Sequence, residues 1–234
     1  MIKLFQYPTD WGLPNISPFC MKMETYLRLA QIPYEIVTVV DPRKSPKGKL
    51  PYIDDNGQIV ADSSIIIDYL KNKYSDALDG RLSSSQKATR LAFQRMIEEH
   101  LYWVILYSRW VEDEGWEKIK PLYFDELPAF MKAFVPEIVR RQFIKVIEGQ
   151  GIGRHHRDDV YQMGKDDVSA VSTLLADQNF MLGNDVTSLD ATAYGFLANI
   201  IEAPIESPLK EHTKSLPNLV AYCERMKEKF SAAK

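Results

Sequence analysis

Apolar residues alternate in short runs near the N-terminus, then recur at helical spacing from about residue 86 onward. Residues 2–7 read as a strand ended by Pro8. A breaker-rich loop follows, and Ser17-Pro18 opens a helix, since serine is a good N-cap and proline suits the first helical position. Met23, Tyr26, Leu27 and Ala30 give that helix one buried face, and Pro33 stops it. Residues 34–40 predict a second strand. Residues 52–53 and 58–60 predict two more, joined at Asn56-Gly57, a strong hairpin signal. Asp62-Ser63 then caps a helix running to about Tyr74. The order βαβ, hairpin, α describes an α/β module of under eighty residues.

Residues 76–85 are polar and read as a break, and everything beyond them is helical in pattern. The spacing predicts one unbroken helix over 86–114 and a second helical region over 125–148, kinked or divided by Pro136. A glycine-rich turn at 149–153 and a helix over 157–177 follow. Further helices begin at Thr187-Ser188-Leu189-Asp190 and at Leu216-Pro217. The expected organisation is an α/β domain over 1–76, a linker over 77–85 and an all-α domain over 86–234.

Composition narrows the function classes. With 45% hydrophobic and 26% charged residues, the 234-residue chain is ordinary globular material. A net charge of −3 makes nucleic acid a poor partner. Pro8 and Asp10 interrupt any signal-peptide run, and no stretch has the roughly 18 consecutive apolar residues of a membrane span. The expectation is a cytoplasmic protein without membrane attachment. Cys20 and Cys223 lie at opposite ends, without metal-ligand spacing. His155-His156 with Asp158 and Asp159 reads as a solvated turn, because adjacent helical histidines point apart; no metal is expected.

Candidate chemistry sits at three places. Ser17-Pro18-Phe19-Cys20 puts polar groups at a helix N-terminus, where partial positive charge favours an anion. Lys49-Leu50-Pro51 precedes the hairpin, and a cis proline there would turn the backbone of Leu50 toward a ligand. Asp62-Ser63 offers a hydroxyl and backbone N–H groups to a carboxylate, and a carboxylate to an ammonium. Taken alone, capping explains the first and third, and an edge-strand proline explains the second. Thr187 to Asp190 reads as a capping box with a folding role. Tyr102, Trp103, Tyr107 and Trp110 read as core or subunit interface, with part open to lining an apolar pocket.

The order and spacing of these signals resemble the glutathione transferase superfamily over nearly the whole chain. Ser-Pro-Phe-Cys, Lys-Leu-Pro and Asp-Ser look like its glutathione-binding domain, and Leu216 to Tyr222 resembles its C-terminal helix. Residues 13–27 and 149–155 resemble the failed-axon-connections branch, related to the metaxins. The resemblance implies a thioredoxin-like N-terminal domain, an all-helical C-terminal domain and glutathione as co-substrate. Ser17 would activate the thiol, with Tyr7 as an alternative. Leu50, before Pro51, would pair with the cysteinyl unit. Asp62 and Ser63 would hold the γ-glutamyl end, and Lys49 with Lys47 the glycine carboxylate. Thiol-transferring members carry Cys where this chain has Ser17, which disfavours disulfide exchange. An enzyme conjugating glutathione to an apolar electrophile, or reducing one, is the leading expectation. A non-catalytic interaction module on the same fold is the alternative. The resemblance, together with the unbroken length of the 86–114 helix, implies a homodimer.

Overall fold

The N-terminal alternation builds a mixed sheet in the computed structural model, which describes residues 1–233. Strand β1 (Ile2–Gln6) points Ile2, Leu4 and Gln6 inward. It pairs in parallel with β2 (Tyr34–Thr38) and antiparallel with β3 (Tyr52–Asp55), and β4 (Gln58–Ala61) completes the order β2-β1-β3-β4. Asn56 and Gly57, at φ 55° and 94°, make the tight hairpin turn that requires positive φ at both positions. Helices α1 (Pro18–Leu29) and α2 (Ser63–Tyr74) cover the inward face. Met23, Tyr26, Leu27, Ile66, Ile67 and Leu70 pack there with Ile2, Leu4 and Ile53.

The remaining described residues are mainly helical, as the sequence pattern predicts, with a shift at one helix end. The helix expected over 86–114 runs without interruption from Ser84 to Trp110, through α3 (Ser84–Met96), a π-helical turn over 97–101 and α4 (Tyr102–Trp110), and ends short of the expected boundary. The chain then breaks at Glu112 and re-enters helix as α5 (Asp113–Phe124), whose first-turn Asp113 and Glu114 suit a helix N-terminus. Gly115 permits the sharp turn, because a Cβ there would lie 1.8 Å from the Ser108 carbonyl oxygen. The region expected over 125–148 is divided, not kinked: the short α6 (Ala129–Lys132) ends just before α7 (Val135–Gln150), and Pro136 lies in the first turn of α7, where its missing N–H costs nothing. Beyond lie α8 (Arg157–Leu175), α9 (Ser188–Ile201), α10 (Pro208–Lys214) and α11 (Pro217–Ala232). Among the described residues no helix is long and apolar enough to cross a membrane.

The burial of aromatic residues on α4 removes one argument for a dimer, since they leave no surplus apolar surface on that part of the helix. Tyr107 and Trp110 are buried within the subunit: Trp110 stacks on Phe143 at 3.8 Å, and Tyr107 meets Tyr161 edge-on.

Helix α9 runs through the middle of the molecule and fixes α1. Gly195 makes their close approach possible, because a Cβ there would lie 2.7 Å from the Pro18 carbonyl oxygen and 2.9 Å from the Lys22 nitrogen. The buried Arg109 guanidinium donates to the Ile16 carbonyl at 2.7 Å and to Asn199 Oδ1 at 2.8 Å, and Asn199 donates to the Asn15 carbonyl. The loop that delivers Ser17 is therefore held by α4 and α9, both outside the α/β domain. The segment joining the domains is also tied down. Asp79 is 1% exposed; it accepts from the Ser188 N–H at 2.8 Å, from the Ser188 hydroxyl and from Lys71. The capping box at the start of α9 closes as read. One Asp190 oxygen accepts from the Thr187 N–H and hydroxyl at 2.8 Å, and the other from the Met181 N–H and the Tyr222 hydroxyl.

Candidate functional site

Ser17, Lys49, Leu50, Pro51, Asp62 and Ser63, scattered over 47 positions of sequence, line one cleft of about 380 Å³ between the sheet module and the helices. Lys47 and Tyr7 line it as well. A separate void beside Arg109, about 20 Å³, is too small for a substrate.

Each side chain is placed by a local feature. Ser17 is the N-cap of α1: its oxygen accepts from the Cys20 N–H at 3.4 Å, which leaves its own proton available to a ligand. The Leu50–Pro51 bond is cis, an isomer the sequence left open. Asp62 sits at φ 88° and ψ 123°, an uncommon conformation for a residue with a side chain, and such positions cluster at ligand clamps. Its carboxylate caps α2, accepting from the Ser64 and Ile65 N–H groups, so the capping role read from sequence is real. Asp62 is nonetheless exposed on the cleft wall, with Ser63 beside it and buried. On the basic loop, Arg43 is engaged by Asp41 in a two-pronged ion pair, and Lys47 and Lys49 stand exposed at the lip. Cys20 is a different case. It is fully buried, and burial pushes its thiol up to about 12 against the hydrogen bond with Ser17, so it is no thiolate at neutral pH.

The facing wall comes from the helical domain: Arg95, Glu98, Glu99, Tyr102 and Phe143, with Phe19 of α1. Phe19 meets Tyr102 edge-on at 4.9 Å. Tyr102 thus supplies the pocket-lining part of the aromatic group. Burial first, then Tyr123, pushes the Tyr7 phenol above its ordinary value, so Tyr7 can donate a hydrogen bond but does not ionise at neutral pH.

Sequence reasoning missed the group behind Ser63. Lys22 of α1, with no exposed surface, donates to Ser63 Oγ at 3.0 Å and Ser64 Oγ at 3.4 Å, and pairs with Glu98. Glu98, in the π-helical turn, also accepts from Ser64, Gln94 and Thr192. A signal existed: Lys22 is four residues before Tyr26 and so shares the buried stripe of α1, where a lysine requires a partner.

Comparison with known proteins agrees with this geometry. Residues 18–115 match the glutathione S-transferase N-terminal domain, and residues 164–226 the glutathione S-transferase C-terminal domain. The chain is 39% identical to the isoprene-epoxide–glutathione S-transferase of Rhodococcus sp. (strain AD45), over 98% of this chain and 99% of that one. It is 33% identical to Failed axon connections of Drosophila melanogaster, over 98% of this chain and 58% of the relative's length. Among solved structures, the beta-etherase LigF of Sphingobium sp. strain SYK-6 superposes with a TM-score of 0.66 at 18% identity, covering 99% of both chains. With a thioredoxin-like sheet module, an all-helical second domain and a matched sequence across both, this chain belongs to the glutathione S-transferase superfamily.

Proposed function

We propose that the protein is a glutathione transferase that adds the glutathione thiol to a small electrophile of the epoxide class. The convergence of two helix N-termini, the basic loop and Leu50-Pro51 on one cleft carries this reading. In this reading Lys49, with Lys47, faces the glycine carboxylate, Leu50 pairs with the cysteinyl unit, and Asp62 with Ser63 holds the γ-glutamyl end. Ser17 donates its hydroxyl proton to the sulfur, and that hydrogen bond with the α1 N-terminus favours the thiolate. The substrate class is suggested by the Rhodococcus relative's activity on an epoxide. The thiolate attacks a ring carbon as the C–O bond breaks, and the alkoxide so formed takes one proton. The product is a hydroxyalkyl thioether, and no other reactant is consumed. Phe19, Tyr102 and Phe143 give the electrophile an apolar, aromatic wall, and the Tyr7 phenol lies within the same cleft as a proton donor. The two buried free thiols suit a reducing, cytoplasmic setting.

Purified protein, titrated with glutathione by calorimetry and then assayed with isoprene monoxide, tests the proposal. Binding in the micromolar to millimolar range with thioether formation above the uncatalysed rate is expected. Binding without turnover on this or other epoxides would instead favour the non-catalytic module on the same fold.

A further inference from the structure

Lys22 is an expensive residue to bury. An ammonium removed from water costs several kcal/mol unless it is fully compensated. Here it has no exposed surface, and its three N–H donors meet three acceptors: Ser63 Oγ, Ser64 Oγ and a Glu98 oxygen. It reaches from α1 to the first two residues of α2, at the cleft wall.

We infer that Lys22 is a positioning residue which, through Ser63, makes the cleft select thiols that carry a γ-glutamyl group. This rests on the reading of the cleft as a glutathione site. A serine hydroxyl has one proton and can accept at its oxygen. Lys22 occupies the acceptor side of Ser63, so the proton must turn elsewhere. Ser64 passes its proton to Glu98, whereas the Ser63 proton has no protein acceptor among the described residues. It faces the cleft, oriented to donate to a carboxylate. Lys22 also sets a positive charge behind that donor, and the exposed Asp62 carboxylate, whose second oxygen is not used in capping α2, stands beside Ser63 on the cleft wall. Positive behind Ser63 and negative at Asp62 complements the carboxylate and ammonium of a γ-glutamyl group. That group is an amino-acid zwitterion, which a thiol such as cysteinylglycine lacks at the corresponding place.

Burial pulls the Lys22 ammonium below its ordinary range and Glu98 pulls it back, and the short contact to Glu98 favours the charged form. A pair serving only to join α1 to the helical domain would affect every thiol alike. Selection by Lys22 would affect only those with the γ-glutamyl group.

The test compares glutathione with cysteinylglycine, by calorimetric Kd and by KM with one electrophile, in wild type and Lys22→Met. A second variant, Lys22→Met with Glu98→Gln, removes the pair without leaving a lone buried charge and keeps the comparison available where the single variant folds poorly. The expected result is a roughly tenfold weaker Kd for glutathione, the scale of one charge-assisted hydrogen bond, with cysteinylglycine changed less than twofold. Equal weakening of both thiols, or unchanged glutathione affinity, would overturn the role of Lys22 while leaving the glutathione site standing. A wild type that binds no glutathione would overturn both.

Discussion

At the scale of single residues, the cleft separates three groups that sequence alone leaves as rivals. Cys20 is deep in the helix and held as a thiol, so it does not compete for chemistry. Tyr7 reaches the cleft but stays protonated, which makes it a proton donor and not a base. Ser17 caps α1 and keeps its proton for a ligand. Ser17→Ala is therefore expected to raise the thiol pKa of bound glutathione by about one unit, the equivalent of about 1.4 kcal/mol, with binding little changed. Because the loss is of thiolate, turnover should fall about tenfold near neutral pH and recover as pH rises past the shifted pKa. Thiolate absorbance against pH measures this directly. A mutant that keeps the wild-type thiolate profile would assign activation to Tyr7 or to backbone N–H groups. The same substitution removes a cap worth about 1 kcal/mol, so its melting temperature has to be read alongside.

At the scale of elements, the joining segment behaves less like a linker than its polar composition suggests. Leu78 is buried, and Asp79 ties α2, through Lys71, to the first turn of α9, through Ser188. Arg90 of α3 adds a longer contact at 3.5 Å. Burial pushes the Asp79 carboxyl up, but Lys71 and the two Ser188 donors outweigh it and hold the group below the ordinary carboxylate range. A carboxyl depressed in the folded state contributes stability that is present above its unfolded pKa, near 3.9, and lost as pH falls through the folded value. Asp79→Asn should thus destabilise the protein by about 2–3 kcal/mol at pH 7, with the deficit shrinking below about pH 4. Denaturant melts of both proteins across pH 3–7 check the direction. A deficit independent of pH would place the effect in packing and not in charge.

At the scale of the whole molecule, the burial of Tyr107 and Trp110 within the subunit leaves the dimer resting on other grounds. Ile65 on α2 and Leu91 on α3 are both about half exposed, one from each domain, and are the apolar residues we expect a twofold interface to cover. Light scattering at micromolar concentration should give twice the 26.9 kDa of the chain. Ile65→Glu with Leu91→Glu should return it to a single-chain mass. A wild type that stays monomeric as concentration rises would show those residues to be ordinary surface.

The sequence by itself determined the elements whose signals are local. The βαβ-hairpin-α order, the Asn56-Gly57 turn, the Ser17 and Asp62 caps and the Thr187–Asp190 box follow from backbone and capping chemistry within a few residues. So did the set of residues that meet at the cleft, once their order was matched to a family. The break between α4 and α5 was hidden, because it depends on how closely Gly115 approaches Ser108. The isomer of Pro51 was open for a similar reason: composition does not fix it and tertiary context does. Lys22 shows the limit most clearly. Its three partners lie 41, 42 and 76 positions away. Its place on the buried stripe of α1 signals that it needs a partner but not which one, and only the packing of α9 against α1 and the turn at 97–101 closes water out and brings Glu98 to it.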